Sequence, residues 1–451
     1  NDKEKVPVLR LSSSAPQPPL SKPKLLLKLK QNFGTEAEGG ADIESFSGHE
    51  PSNSGGGGGG GGDFTVLPSG ELKNIKIIFK PDTPVKINLD DPNIYSSDFT
   101  DSLPDFPLRN SGFVGIDNRG NSCYANSTLQ MLYRIPFIRK VVANADIYFE
   151  RAKKNARNIA DKIKSLNDTP CDNFKAKLKT LNSSLTDIET AVSVLEGLNH
   201  MFYQLHTMSS AASFNYKQTL QCLPGKFHYG AQEDTDEYFV VIMGYLKDLL
   251  PPSQHYHFMS ELLEERIKTS FTDHKYRSVQ PEEKTLESKI CLNIEGPVYK
   301  DGVLVKKTVF EDLDQLLDNY FVEEVNFGVD LDIGGKGILT KRRKFASPPQ
   351  ILTIQLNRMI DFKRHIKNTA PVLMPESFDL KKFVGDGSSS VKYRLKMFVE
   401  HIGNSGSSGH YVAHCLEANG QWITYDDSSV NASKDINNSI KIGYYYFYEK
   451  E

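Results

Sequence analysis

The stretch GIDNRGNSCYANSTLQMLYRIP, Gly115 to Pro136, joins a turn-rich run of glycine, asparagine and aspartate to what reads as a helix, and Cys123 stands at the join. Leu129, Leu132 and Tyr133 fall at helical spacing, which predicts a helix starting at the cysteine. At such a position the helix dipole and the unpaired N–H groups favour a thiolate. Gly115, Gly120 and the asparagines allow a tight turn, and an asparagine amide or a backbone N–H beside the sulfur would hold a tetrahedral oxyanion. The same pattern is satisfied by a small buried residue closing a turn, because free cysteines are mostly buried. The stretch alone does not choose between the two.

A thiolate nucleophile needs a base that later protonates a leaving amine, and a third group to orient that base. SGHYVAHCLEANGQWITYDDSSV, Ser408 to Val430, offers a strand with His410 and His414, a turn, and a returning strand ending in Asp426 and Asp427. Folded as a hairpin, it brings an acid near a histidine, although strand reasoning does not decide which aspartate. His410 and His414 as a metal pair is the competing reading; it lacks the H-E-x-x-H arrangement and an evident third ligand. A third segment, GAQEDTDEYFVVIMGYLKDLL from Gly230 to Leu250, crowds acids at the start of an apolar helix. The helix dipole accounts for most of them, while Asp234 and Glu237 would also suit a cleft for a basic peptide.

The bulk sequence is that of an ordinary soluble protein: 451 residues, 38% hydrophobic, 25% charged, net charge -3. This balance makes no case for nucleic acid, and no apolar run is long enough to span a bilayer. Five cysteines, none in a C-x-x-C pair, fit reduced thiols in the cytoplasm or nucleus better than disulfides or zinc. The chain begins at Asn1, as a fragment of a longer protein would.

Residues 1–62 are rich in serine, proline, lysine and glycine and end in eight consecutive glycines, a composition expected to be a disordered tail and linker. Within them KPKLLLKLK, Lys22 to Lys30, reads as a solvated charge cluster or a docking or nuclear-import element. Residues 63–111 contain LKNIKIIFKPDTPVKINLDD, whose alternation around PDTP predicts a β-hairpin extension. From 112 to 451 a helical first part gives way, near Ser288, to short β-branched and aromatic runs. This order predicts an α+β domain with a cleft. Two charged amphipathic helices are expected between Phe149 and Leu205.

Together the three segments resemble the boxes of the ubiquitin-specific protease family, papain-like deubiquitinating cysteine proteases. GIDNRGNSCYANSTLQML is similar to its cysteine box, QEDTDEYFVVIMGYL to its Gln-Gln-Asp helix, and GHYVAHC with WITYDDSSV to its histidine box. PPQILTIQLNRM, YRLKMFVEHIG and GYYYFYEK add weaker agreement, and all six occur in the family's order. The resemblance implies a papain-like fold with a helical thumb, a β-rich palm and β fingers. It implies Cys123 as nucleophile, His410 as base and then acid, Asp426 as the orienting acid, Asp427 as a second polar group beside them, and Asn118 as an oxyanion donor. Asp234 and Glu237 would line the channel for ubiquitin's tail, and Tyr411 would narrow it to admit two glycines. No cofactor is implied. The finger segments carry no cysteine where many members bind zinc, so zinc-free fingers held by packing and strand pairing are expected.

The implied partners are ubiquitin and ubiquitinated proteins, with neither nucleic acid nor membrane. The N-terminal tail and the helices of residues 149–192 are candidates for contact with a regulator. The rival readings are a protease for a ubiquitin-like modifier, another papain-like peptidase or transglutaminase with the same Cys-His-Asp set, and a catalytically weak ubiquitin-binding scaffold.

Overall fold

The computed structural model describes residues 71–451 except 83–84, 86–87, 89–90, 92, 94–95, 97, 107, 109–111, 170–172, 214–222, 224–226, 229, 273–274, 281, 301–302, 323, 362–364, 386–389 and 407. The expected tail at 1–62, with Lys22 to Lys30, and the first residues of the 63–111 extension lie outside the described residues.

Among the described residues five α-helices come first: α1 (Cys123–Arg134), α2 (Pro136–Ala143), α3 (Ala145–Asp168), α4 (Phe174–Thr207) and α5 (Thr235–Leu249). α3 and α4 are the two amphipathic helices expected from the sequence. α1 is buried along its whole length, so its polar residues must find partners inside the protein. Pro136 at the start of α2 removes an N–H that a helix's first turn cannot use and separates α2 from α1. No helix among the described residues is long and apolar enough to cross a membrane.

Strands follow. β1 (Ser260–Ser270), β2 (Arg277–Val279) and β3 (Glu283–Glu287) precede β4 (Ile290–Asn293) and the hairpin β5 (Glu295–Lys300) and β6 (Val303–Val309). After α6 (Leu313–Tyr320) come β7 (Glu324–Asp330), β8 (Lys336–Ser347), β9 (Ile351–Asn357), and the small hairpin β10 (Met359–Asp361) and β11 (Ile366–Lys367). The chain ends with β12 (Ser377–Asp379), β13 (Lys392–Ile402), β14 (His410–Leu416), β15 (Trp422–Asp426), β16 (Ser429–Ala432), α7 (Ile436–Ile442) and β17 (Tyr445–Lys450).

Eight of these strands form one sheet, ordered β16-β15-β14-β13-β17-β9-β4 with β12 also on β13. Its two faces feed two cores. Along β17, Tyr445 and Phe447 pack with α1, α4 and α5, while Tyr446 and Tyr448 pack with α6 and α7. The run GYYYFYEK is therefore apolar on both faces because both are covered. β13 changes face at an irregularity between Leu395 and Met397, which puts Leu395 in one core and Met397 and Val399 in the other. A second sheet, β2-β1-β8-β7 with β3 on β1, contains the cysteine-free finger segments. Ile267 and Leu331 are buried there, and Glu264 lies between Arg266 at 2.7 Å and Arg343 at 2.8 Å.

The expected hairpin at 63–111 is not found among the described residues, none of which is in a strand before β1. Residues 71–80 run extended, and side chains of α4 meet the polar groups that a partner strand would have met. Glu196 Oε1 accepts from the Lys76 N–H at 2.8 Å. Buried Asn199 accepts from Ile78 N–H at 2.8 Å and Phe79 N–H at 2.9 Å, and donates to Phe79 O at 2.7 Å and Val142 O at 2.8 Å. Alternation reported the extended backbone correctly but not what would bond to it.

Asn199→Ala leaves several buried backbone groups unpaired, each costing about 1–3 kcal/mol. A lower urea midpoint, with faster proteolysis at residues 71–80, is the expected result; an unchanged midpoint and cleavage rate would mean that Asn199 does not hold this segment.

Candidate active site

Gly120 and Asn121 adopt left-handed backbone, φ 79° and 61°, and this double turn delivers the chain into α1 at Cys123. Ser122 precedes the helix, but its hydroxyl accepts from Arg119 N–H at 3.0 Å instead of capping the first turn. The dipole at this end of α1 thus acts on Cys123, which is buried.

β13 and β14 pair with Ile402 opposite His410, and β14 pairs with β15, so the expected histidine hairpin is formed. His410 Nε2 lies 2.6 Å from Asp426 Oδ1 and 4.0 Å from Asp427 Oδ2. Asp426 is therefore the aspartate that touches it. Cys123 lies near enough to His410 to be the largest influence on the ionisation of the imidazole, whose Nε2 is engaged by Asp426. The contact with Cys123 first, and with Asp426 second, raises the imidazole's pKa to about 9 against the opposing effect of burial. It keeps its proton through neutral pH.

Asp427 has φ 49°, and its carboxylate, 4.0 Å from the imidazole, is engaged by two asparagines. Its carboxylate accepts from Asn118 Nδ2 at 2.8 Å and Asn126 Nδ2 at 2.7 Å, and its carbonyl accepts from Ile116 N–H at 2.9 Å. A Cβ at Gly115 would lie 2.5 Å from that carbonyl oxygen, so the approach requires glycine. Asn118 Oδ1 accepts from Ser122 N–H at 3.2 Å. The second Nδ2 proton of Asn118 remains for another acceptor. Asp117, Asn118, Arg119, Asp426, Asp427, Ser428 and Ser429 line an open depression of about 610 Å³ beside the pair.

The acids of α5 are placed differently from a simple cleft lining. Asp234 caps α5 by accepting from Asp236 N–H at 2.8 Å, and its other oxygen accepts from Tyr444 OH at 2.6 Å. Burial and the neighbouring Asp236 raise its pKa to about 6. Tyr444 OH accepts from Gln355, Gln355 accepts from Lys289, and Lys289 also pairs with buried Asp236. Glu237 is half-buried one residue further on. Tyr411 packs its ring 4.6 Å from His401 and 6.2 Å from Tyr444. His414, the other member of the metal pair considered above, is buried against Phe398 and shares a 3.1 Å hydrogen bond with Thr424 Oγ1. It belongs to the core and not to the group around His410.

Sequence reasoning missed Asn126, Gln232 and Tyr444. Gln232 Nε2 donates to Gly409 O at 3.1 Å, next to His410. A signal existed for Asn126, a polar side chain inside an otherwise apolar helical run, which must have a partner. None existed for the other two, whose partners are far away in the chain.

The sequence pattern of the family "Ubiquitin carboxyl-terminal hydrolase" matches residues 114–448. Ubiquitin carboxyl-terminal hydrolase 26 of Oryza sativa subsp. japonica is 26% identical over 352 residues, 75% of this chain and 26% of that protein. Ubiquitin carboxyl-terminal hydrolase 10 of Saccharomyces cerevisiae is 35% identical over 92 residues, 20% of this chain and 12% of that protein. The chain thus spans about a quarter or less of the length of these relatives. Among solved structures, the SAGA Ubp8/Sgf11/Sus1/Sgf73 DUB module bound to ubiquitin aldehyde has a similar fold, with TM-score 0.52 and 18% identity over 78% of this chain and 72% of that one.

The raised pKa has a sign. Stabilisation from the pairing of His410 is complete below its ordinary value of 6.5 and is lost as pH rises through about 9. NMR titration of the His410 ring is expected to give a midpoint near 9, falling in Cys123→Ala because the sulfur is the largest cause. A midpoint near 6.5 in both proteins would show that the ring is not paired with the sulfur.

Proposed function

Because this chain belongs to the ubiquitin carboxyl-terminal hydrolase family, we propose that it is a thiol isopeptidase that cleaves the bond between ubiquitin's C-terminal glycine and a substrate lysine or another ubiquitin. The observation that carries this reading is Cys123 at the start of α1, beside a His410 that Asp426 holds at 2.6 Å.

The chemistry follows from the protonation state. The Cys123 thiolate attacks the glycine carbonyl, a C–S bond forms, and the oxyanion is met by the Asn118 amide and N–H groups at the start of α1. His410 gives its proton to the lysine nitrogen as the C–N bond breaks. Water, deprotonated by His410, then attacks the thioester, and the sulfur leaves with the glycine carboxylate freed. The open depression beside Asp426 and Asp427 suits the leaving lysine, and the half-buried Glu237 suits an arginine of the ubiquitin tail. Asp234 acts on the tail indirectly, by fixing Tyr444 and the start of α5. Tyr411 supplies a rigid aromatic wall. The outer parts of α3 and α4 are the surface offered to a regulator, and the free thiols of Cys123, Cys291 and Cys415 fit a reducing cytoplasm or nucleus.

Cys123→Ala is expected to abolish hydrolysis of a ubiquitin–rhodamine conjugate while binding ubiquitin with nearly unchanged affinity. Asn118→Ala is expected to lower turnover roughly 10- to 1000-fold. Turnover by Cys123→Ala at the wild-type rate would remove the sulfur from the mechanism, and activity only on a ubiquitin-like modifier conjugate would reassign the substrate.

A further inference from the structure

β13, the strand before the loop that leads to His410, has an edge that its neighbour stops covering, and one lysine takes it over. β17 pairs with β13 only as far as Val399, whose carbonyl accepts from Tyr444 N–H at 2.7 Å. Carbonyls of alternate strand residues face the same edge, so those of His401 and Gly403 are next in need of donors. Lys367 Nζ serves both, donating to Gly403 O at 3.1 Å and to His401 O. These two carbonyls flank Ile402, which stands in register with His410 on β14.

The hairpin that carries Lys367 also grips the intervening loop. Ile366 bridges Ser405, Gly406 N–H donates to His365 O at 3.0 Å, and Met359 packs so closely on Gly406 that a side chain there would collide with it. Gly409 is pressed against the His401 imidazole in the same way, and Gln232 holds its carbonyl. Burial, helped by Arg358, lowers the pKa of Lys367 to about 8, so the ammonium persists at neutral pH. Burial and this cation hold His401 neutral, with a pKa of about 4.

We propose that Lys367 is a positioning residue for His410: its ammonium ties the carbonyls on either side of Ile402 and thereby fixes the end of β14 that presents the imidazole to Cys123. The proposal rests on reading Cys123 and His410 as the reacting pair. A neutral side chain at 367 leaves the two carbonyls without a donor, the β13–β14 end loosens, and the imidazole drifts from the sulfur. The ubiquitin channel and the bulk of both cores stay as they are.

The test compares Lys367→Met and Lys367→Arg with the wild type in ubiquitin–rhodamine hydrolysis, in alkylation of Cys123 by iodoacetamide, and in thermal unfolding. For Lys367→Met, kcat is expected to fall roughly 10- to 100-fold with KM within about 2-fold, because misplacement of a catalytic group costs rate and not binding. Alkylation should slow as well, Lys367→Arg should recover most of both rates, and the thermal midpoint should hold. The proposal is overturned by an unchanged kcat, by a raised KM with unchanged alkylation, or by a loss that arginine does not rescue and that tracks a lowered thermal midpoint. The alkylation arm is independent of substrate: if the wild type fails to cleave the ubiquitin conjugate, slowed alkylation in the methionine variant alone still supports the positioning role, and equal rates refute it.

Discussion

One aspartate in left-handed backbone holds the two halves of the site together. The elements that carry Cys123 and His410 are nearly three hundred residues apart in sequence, and Asp427 joins them. Its carboxylate receives the amides of Asn118 and Asn126, and its carbonyl receives the N–H of Ile116 across the gap that Gly115 leaves open. A left-handed residue costs about 1–2 kcal/mol, whereas hydrogen bonds to a charged group contribute about 1.5–3 kcal/mol each. The bonds win, so the strained conformation is the stable one. That node acts at the end of α1 where the chemistry lies, while the buried Arg134–Glu417 pair and shared core packing tie the same elements further along.

Adjacent aspartates with opposite partners also divide the work. Asp426 touches the imidazole and sets its orientation, and Asp427, further from the ring, bonds Asn118 and Asn126 at the start of α1. The turn at Asp427 lets two consecutive carboxylates take different hydrogen-bond partners. At α5 Asp234 and Asp236 likewise take different side-chain partners, Tyr444 and Lys289, although they still influence one another.

Much of this was legible in the sequence where the governing contacts are local. The helical spacing after Cys123, the amphipathic runs of α3 and α4 and the hairpin from His410 to Asp426 all depend on neighbours within a few turns or across one turn, and each is present. At 71–80 the alternation signals extended backbone, but its partners are Asn199 and Glu196 of α4, and alternation carries no record of distant partners. Strand reasoning by itself does not decide between Asp426 and Asp427; the resemblance implies Asp426, and that is the aspartate in contact with His410. Asp234 has the same difficulty: acids at a helix start look alike in sequence, and the hydrogen bond from Tyr444 is what distinguishes this one.

If Asp427 assembles the site mechanically, its effect must be visible in the free protein, away from any substrate. Amide hydrogen exchange at Ile116 and through residues 115–126, compared between wild type and Asp427→Ala, measures this most directly. Exchange at least roughly 10-fold faster in the variant, a loss of about 1.4 kcal/mol or more of local protection, is the predicted result. Unchanged protection with activity lost would contradict the account and leave Asp427 a purely chemical role.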